Sequence, residues 1–120
     1  MAYTTGAIVK QYAQVGYADF KEGTFADDAA LITFIEATVI PAAEAYINSF
    51  CDTSWTTAPA DVGDVCARIS ANILHYMIAN KQGPLVRVEE FKVAIPEHEV
   101  LTPGLRVLLS AHIKRTFLRT

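Results

Sequence analysis

Two long stretches of the chain carry apolar residues at the spacing of an α-helix. In residues 26–50 and again in residues 59–82, apolar side chains recur at intervals of three and four positions. The first stripe consists of Ile32, Ile35, Val39, Ala42, Ala43, Tyr46 and Phe50. The second stripe consists of Val62, Val65, Cys66, Ile69, Ile73, Tyr76 and Met77. This period predicts two amphipathic helices whose apolar faces pack against each other.

The first long helix carries a proline inside its apolar stripe. Thr24 is the expected N-cap, and Asp27 and Asp28 place negative charge in the first turn, where the helix dipole favours it. Pro41 removes a backbone donor, and its ring clashes with the carbonyl group of Ala37. We therefore expect this helix either to kink or to split into two helices at Pro41.

Two shorter helices are expected nearer the ends of the chain. Residues 4–15 predict a short helix that Thr4 or Thr5 caps and that ends just before Gly16. A last helix is expected to begin at Thr102 or Pro103. Its stripe consists of Leu105, Leu108, Leu109, His112, Ile113 and Phe117. Pro59 is expected to be the first residue of the second long helix, and Gly83-Pro84 ends its pattern.

Between the last two helices the period changes to two, which is typical of an extended chain. The pattern runs from Leu85 to Ile95 and slips at Glu89-Glu90, where a bulge or a tight reversal is expected. An isolated strand pair is marginally stable, so we expect a neighbouring copy to complete the hydrogen bonding of this arm, which spans about residues 85–102. Five apolar residues of the arm are predicted to lie at a subunit interface: Val86, Val88, Phe91, Val93 and Ile95.

The chain is therefore expected to be mainly α. The predicted architecture is a small bundle of about four helices in a single domain, residues 1–120, with an extended arm between the last two helices. Apolar residues make up 52% of the chain and charged residues 19%, which suggests apolar surface that partners cover, although a well-filled core would have the same effect.

Charge is distributed unevenly along the chain. Residues 1–66 contain nine acids and two bases, and residues 67–120 contain four acids and eight bases, so the halves sum to −7 and +4. This polarity favours head-to-tail contact between copies, or docking of the basic end onto an acidic partner. Charge asymmetry is also common in short chains, where it only keeps the surface solvated, and the sequence does not separate these interpretations. Three bases lie near the C-terminal end of the last predicted helix: Lys114, Arg115 and Arg119. They could contact phosphates, but three bases on a net-acidic chain release few counterions, so we predict a partner contact or a solvated helix end.

No constellation of residues that would carry catalysis or bind a metal or cofactor is recognisable in the sequence. The cysteines and histidines lack zinc-ligand spacing, and neither a nucleophile motif nor a phosphate-binding glycine loop is present. Cys66 lies on an apolar stripe and is expected to be a buried small residue. Cys51 and Cys66 are too few for a disulfide framework and are expected to be reduced.

Neither a membrane span nor a secretory signal is expected. No stretch supplies about 20 uninterrupted apolar residues, because Glu36, Glu44, Arg68 and Lys114 interrupt the longest ones. The first ten residues lack a basic run followed by an apolar segment. Synthesis in the cytoplasm is the expectation that follows.

The order of these segments resembles the head-tail connector (adaptor) proteins of tailed bacteriophages. The resemblance covers about residues 1–84 and is carried by the short first helix, the helix DDAALITFIEATVIPAAEAYINSF, the Ser/Thr-rich loop and the helix PADVGDVCARISANILHYMIANKQGP. It implies a non-catalytic subunit of a ring in the virion neck, usually twelve-fold, that docks beneath the portal protein of the DNA-filled head. The ring would join the head to a stopper or tail protein, and packaged DNA could pass through it. Pro41 and the segment 85–102 depart from the common pattern.

Two other classes of protein remain open from the sequence. The first is a small helical binding or regulatory module, monomeric or dimeric, with a groove for a ligand or peptide between its helices. The second is a small enzyme, which would require several ionisable side chains to converge in one pocket.

Overall fold

A computed structural model describes residues 2–20, 23–79 and 100–113 of the chain. Within these ranges the fold is a small bundle of helices without a strand, so the predicted mainly α class is confirmed. The helices are α1 (Gly6–Ala13), α2 (Asp28–Cys51), α3 (Ala60–Ala79) and α4 (Pro103–Leu109).

α1 begins as predicted and ends earlier than predicted. The hydroxyl of Thr5 accepts a hydrogen bond from the backbone N–H of Ile8, 3.3 Å away, which makes Thr5 the N-cap. At the other end Gln14 adopts a left-handed conformation, with φ of 56°, and its N–H donates to the Lys10 carbonyl. Gly16 lies beyond this end and precedes a 3-10 turn, Tyr17–Asp19.

The N-cap of α2 lies three residues after Thr24, the cap that the sequence predicted. The carboxylate of Asp27 accepts a hydrogen bond from the N–H of Ala30 at 2.9 Å, so Asp27 caps the helix. The cap prediction was wrong because both Thr24 and Asp27 are favourable N-cap residues, and a sequence does not show where the chain enters the helix.

α2 continues through Pro41 without splitting. Residues Ile35–Val39 form a π-helical segment, and the N–H of Ile40 donates to the carbonyl group of Ile35, five residues earlier. A second α-helical segment, Ile40–Cys51, then carries Pro41 in its first turn. Proline has no backbone N–H to donate, and its ring crowds the preceding turn. The wider π-helical turn lies directly before Pro41 and adds one residue to that turn of the helix. The irregularity that Pro41 predicts is therefore a π turn and not a break in the helix.

α3 is the central helix of the bundle. Six of the seven residues of its predicted stripe are at most 1% exposed: Val62, Val65, Cys66, Ile69, Ile73 and Met77. The seventh, Tyr76, is only partly buried. Pro59 was predicted to be the first residue of this helix, but it lies one position before it; its carbonyl accepts the Gly63 N–H at 2.9 Å. A loop of eight residues, 52–59, connects α2 to α3 and favours their antiparallel packing. The predicted helix end at Gly83-Pro84 lies outside the described residues.

α1 and α4 both pack on α3 and run in opposite directions. Along α1, Tyr3 approaches Gly63 near the start of α3, and the carbonyl of Ala13 lies 2.8 Å from Nε2 of His75, further along α3. Val100, before α4, is bonded to Asn72 in the second half of α3. His112, after α4, contacts Asp61 in the first turn of α3. α1 is therefore parallel to α3, and α4 is antiparallel to it.

The predicted extended arm lies almost entirely outside the described residues. Its last residues correct the prediction, because Val100 has helical backbone geometry and both Val100 and Leu101 are fully buried. The side-chain amide of Asn72 donates to the Val100 carbonyl at 2.9 Å. These residues therefore belong to the core of the bundle rather than to an arm.

α2 is long and apolar enough, by length and composition alone, to cross a membrane. The mean hydropathy of its most apolar 18-residue window is 1.5, and half of that window is buried inside the bundle. The core helices of soluble proteins meet the same criterion, so this property is weak evidence for a membrane span.

Candidate interaction surface

A groove of about 430 Å³ lies between the N-terminal segment and the first half of α3, and we call it the α1–α3 groove. α1 contributes Ile8 and Tyr12 to it, and the loop before α3 contributes Ala58 and Pro59. The residues of α3 that line it are small or acidic: Ala60, Gly63, Asp64 and Ala67. The remaining lining residues are Ala2, Tyr3, Thr4 and Thr5.

Tyr3 holds the N-terminal side of this groove in place. Its backbone N–H donates to Oε2 of Glu44 at 2.8 Å, and its hydroxyl donates to Oδ1 of Asn48 at 2.7 Å. The same hydroxyl accepts the backbone N–H of Trp55 at 3.1 Å, and the two aromatic rings meet edge to face. Burial raises the pKa of Glu44, and the hydrogen bond from Tyr3 opposes that shift. The segment is thus tied to both α2 and the following loop.

Two glycines allow the N-terminal segment to approach the bundle this closely. A Cβ atom at Gly63 would lie 2.7 Å from the backbone oxygen of Tyr3. A Cβ atom at Gly6 would lie 2.8 Å from Cγ of Glu36, whose carboxylate accepts the Gly6 N–H at 3.1 Å. Larger residues would force these elements apart.

Tyr12, Asp64 and Arg68 form a polar cluster at the rim of the groove. The Tyr12 hydroxyl donates to Oδ1 of Asp64 at 2.5 Å, and Nε of Arg68 donates to Oδ2 of Asp64 at 2.8 Å. These two hydrogen bonds lower the pKa of Asp64, and the bond to Asp64 raises the pKa of Tyr12. The Arg68 guanidinium also lies over the Tyr12 ring, 5.6 Å from its centre. The cluster connects α1 to α3.

The exposed large apolar side chains in the described ranges fall into two groups. Ile8 and Tyr12 on α1 are 40% and 43% exposed and line the α1–α3 groove, and Tyr17 follows them. On α4, Val107 and Leu108 are 71% and 54% exposed, and we call this pair the α4 ridge. Two separate apolar surfaces are thus open to solvent.

The ridge includes a residue that was expected to be buried. Leu108 was predicted on the same stripe as Leu105 and Leu109, which are indeed buried. Residues 105 and 109 are one helical turn apart, and α4 is only seven residues long, so a narrow stripe suffices to dock it. Leu108 lies to the side of that stripe and faces solvent.

A hydrogen bond and an aromatic contact hold the end of α4 against the start of α3. Nε2 of His112, in the 3-10 turn Ser110–His112, lies 2.7 Å from Oδ2 of Asp61. This hydrogen bond lowers the pKa of Asp61, and the Trp55 ring meets the His112 ring edge to face. The ridge is therefore presented by a short helix that is attached at both ends.

Both cysteines are free thiols, as expected, and both are buried. Burial raises the pKa of Cys66 to about 12, with a further contribution from the charge of Glu44, and burial also raises the pKa of Cys51. In residues 2–20, 23–79 and 100–113 no group of three or more His, Cys, Asp or Glu side chains is arranged to hold a metal ion.

The residues predicted for the interface cannot be placed on either surface. Val86, Val88, Phe91, Val93, Ile95, Lys114, Arg115 and Arg119 all lie outside the described residues. The groove and the ridge were not singled out from the sequence, although Tyr12 and Leu108 were visible in it as apolar positions of helices. No protein-family model, no curated protein and no solved structure matches this chain.

Proposed function

We propose that this chain is a structural subunit of a virion neck, a head-tail connector that forms a ring beneath the portal. The observation that carries the proposal is the division of the exposed apolar surface between the α1–α3 groove and the α4 ridge. A subunit of a ring needs two different contact surfaces, one for each neighbour. The order of a short helix, α1, followed by two long ones, α2 and α3, is the arrangement on which the resemblance to connector proteins rests.

The charge distribution supports the same function. Residues 1–66 sum to −7 and residues 67–120 to +4; all residues that line the groove except Ala67 belong to the first part, and the ridge belongs to the second. Net charges of opposite sign in two parts of a subunit favour one relative orientation of neighbouring copies over others. The partners of the proposed ring are further copies of the chain, usually twelve in all, the portal protein and a stopper or tail protein.

A small helical binding module is the second candidate, and the α1–α3 groove favours it. The volume of the groove, about 430 Å³, is in the range of ligand-binding clefts. In this alternative the groove would hold a peptide or small molecule, and the ridge would have no assigned role.

Co-expression with the portal protein encoded in the same genome tests the connector function. We expect the chain to co-purify with the portal, and electron microscopy should show an additional ring at one end of it. The matched control is the major capsid protein from the same genome, which should not retain the chain. A chain that stays monomeric beside an assembled portal, and that is absent from purified virions by mass spectrometry, would exclude the connector.

A further inference from the structure

We propose that a pocket between α1, α3 and the start of α4 binds a small organic phosphate that carries hydroxyl groups, a sugar phosphate in chemical class. The pocket, which we call the Arg68 pocket, has a volume of about 330 Å³ and shares only Tyr12 with the α1–α3 groove. Its polar lining residues are Arg68, Asn72 and His75 of α3, and Thr102 before α4. This site goes beyond the connector function and does not depend on it.

The polar side chains that α3 contributes to the pocket lie on one face of the helix. Arg68, Asn72 and His75 are spaced by four and then three residues, which places side chains one above the other along a helix. Ala71 of α3 and Leu105 of α4 are apolar lining residues of the same pocket. The pocket therefore combines a polar row on α3 with a small apolar surface.

The guanidinium group of Arg68 is oriented by Asp64 and keeps most of its donors. Its Nε donates to Asp64 at 2.8 Å, whereas its two Nη groups have no hydrogen-bond partner among the described residues. Asp64 lines the α1–α3 groove and not the Arg68 pocket, and none of the described residues that line the pocket is acidic. The planar fork of a guanidinium group matches the oxygens of a phosphate group. This end of the pocket is therefore suited to a phosphate.

Asn72 and His75 are each held by one hydrogen bond that leaves other polar groups available. Nδ2 of Asn72 donates to the Val100 carbonyl at 2.9 Å, which leaves the second amide N–H and Oδ1 without a described partner. Nε2 of His75 donates to the Ala13 carbonyl at 2.8 Å, because a carbonyl oxygen only accepts, so the neutral ring presents Nδ1 as an acceptor. Side chains that are already held in place lose little conformational entropy when a ligand binds.

Thr102 adds a hydroxyl group to this end of the site. Thr102 is the N-cap residue of α4, but its side chain makes no capping hydrogen bond. The amide of Asn72, the ring of His75 and this hydroxyl together offer both donors and acceptors. Alcohol groups also donate and accept, so they satisfy such a mixed set, which an anion alone does not. We therefore expect hydroxyl groups on the part of the ligand that lies away from Arg68.

The dimensions of the pocket fit a small molecule better than a bare ion. Arg68 and His75 are seven residues apart, which corresponds to about 10 Å along α3. A volume of about 330 Å³ lies near the lower end of the range for ligand-binding pockets. Both sizes suit a ligand with a phosphate at one end and hydroxyl groups at the other.

Titration of the isotope-labelled protein with defined small molecules, followed by NMR, tests the proposal. The probes are ribose 5-phosphate, inorganic phosphate and ribose. We expect ribose 5-phosphate to shift the side-chain amide signals of Asn72 saturably, and to bind at least several-fold more tightly than either of the other two probes. Ribose 5-phosphate that shows no saturable binding would overturn the proposal. Inorganic phosphate that binds equally tightly would overturn it as well, because the hydroxyl groups would then contribute nothing.

Adenosine 5′-monophosphate distinguishes two sources of the same chemistry. Tighter binding than that of ribose 5-phosphate would identify a nucleotide as the ligand. Equal or weaker binding would identify the sugar phosphate alone. Both results support a site for a hydroxylated phosphate, provided that ribose 5-phosphate itself binds saturably.

Two variants of equal charge change separate the pocket from general electrostatic attraction. Arg68→Gln should weaken the binding of ribose 5-phosphate roughly tenfold or more, the loss expected for a hydrogen bond to a charged group. Lys10→Gln is the matched control, because Lys10 also pairs with an acid, Asp28 at 3.7 Å, but does not line the pocket. It should change the affinity less than about twofold. Equal losses in the two variants would contradict the proposal.

Thr102→Val tests the hydroxyl end of the site and remains informative if Arg68→Gln fails to fold. Valine keeps the shape of threonine, and the Thr102 side chain makes no capping hydrogen bond, so the urea midpoint should not change. The affinity for ribose 5-phosphate should fall several-fold. Thr57→Val, at an exposed position of the loop before α3, is the control and should leave the affinity unchanged. A folded Thr102→Val protein that binds ribose 5-phosphate as tightly as the wild type would refute the assigned ligand class.

Discussion

The α1–α3 groove and the α4 ridge both expose apolar side chains, but different interactions hold them in place. The groove depends on contacts between distant parts of the chain, since Tyr3 bonds to Glu44, Asn48 and Trp55, and Gly63 admits the Tyr3 backbone. The ridge depends on one short helix that two buried leucines anchor. An exposed apolar residue can thus result from helix phase alone, as at Leu108, or belong to a surface that many polar contacts position, as at Tyr12.

The largest expected effect is the difference in the free energy of unfolding between substitutions at Leu109, which anchors α4 in the core, and at Leu108, which belongs to the ridge. Leu109→Ala removes a fully buried side chain and should lower the free energy of unfolding by about 2–5 kcal/mol. Leu108→Ala, the neighbouring position on the same helix, should change the free energy of unfolding of the monomer by less than about 0.5 kcal/mol. Urea denaturation of both variants at low protein concentration gives the two values. Similar losses at the two positions would contradict the division of α4 into an anchor and a ridge.

A smaller effect is expected where the N-terminal segment crosses α3. Gly63→Ala places a Cβ atom 2.7 Å from the Tyr3 backbone oxygen, and the strain should cost about 1–3 kcal/mol. Gly104→Ala is the matched control, because nothing lies within 4 Å of its Cβ position, and alanine there should be neutral or stabilise by up to about 1 kcal/mol. Urea midpoints of both variants make the comparison. A Gly63→Ala protein as stable as the wild type would show that the segment shifts without cost.

Removing one hydroxyl tests the polar contacts that hold the groove. Tyr3→Phe leaves Oδ1 of Asn48 and the N–H of Trp55 without the partner they have now, so we expect a loss of about 1–2 kcal/mol. Tyr17→Phe serves as the control at a half-exposed ring and should cost less than about 0.5 kcal/mol. Thermal and urea unfolding measure both. Equal effects of the two substitutions would remove Tyr3 as the element that positions the groove.

The smallest expected effect depends on pH. Hydrogen bonds from Tyr12 and Arg68 lower the pKa of Asp64 below its ordinary value of 3.8 in the folded protein. The stabilisation is therefore complete above that ordinary pKa and is lost as the pH falls through the lowered folded value. Asp64→Asn should be less stable than the wild type at pH 7, and the difference should shrink as the pH falls below about 4. Urea titrations at pH 7, 5 and 3 measure this difference, and a constant difference over that range would contradict it.

A double variant provides the internal control for this pH effect. Tyr12→Phe and Asp64→Asn both remove the hydrogen bond between these two side chains. Their combined effect should therefore be smaller than the sum of the single effects. Simple additivity would mean that the two residues stabilise the fold separately.

Much of the helical core was predictable from the sequence. Six of the seven stripe residues from Val62 to Met77 are buried where their period placed them, and most of the α2 stripe is buried as well. Errors arose where two local signals compete. Asp27 rather than Thr24 caps α2, because the start of a helix depends on how the chain around it packs. Of the two outcomes that were left open at Pro41, the split does not occur, and a π-helical turn precedes the proline in a continuous helix.

The candidate site was much less predictable, for a physical reason. The interface residues predicted from the period-two segment lie outside the described residues, so that prediction stays open. The groove depends on contacts such as Tyr3 to Glu44, separated by 41 positions, and no periodicity encodes a pair that distant. The resemblance to connector proteins implied a ring of subunits, but it did not indicate which residues would join them.

By itself, the sequence of this protein determined where the two long helices lie and most of the residues on the side of each that leaves water. Helix period and capping are local properties, so neighbouring residues suffice to specify them. Only the tertiary structure decided that Tyr3 lies against Gly63, that Leu108 faces solvent and that a recess opens beside α1. These outcomes depend on the spacing and relative direction of packed helices, which arise only when distant segments bury their apolar faces together.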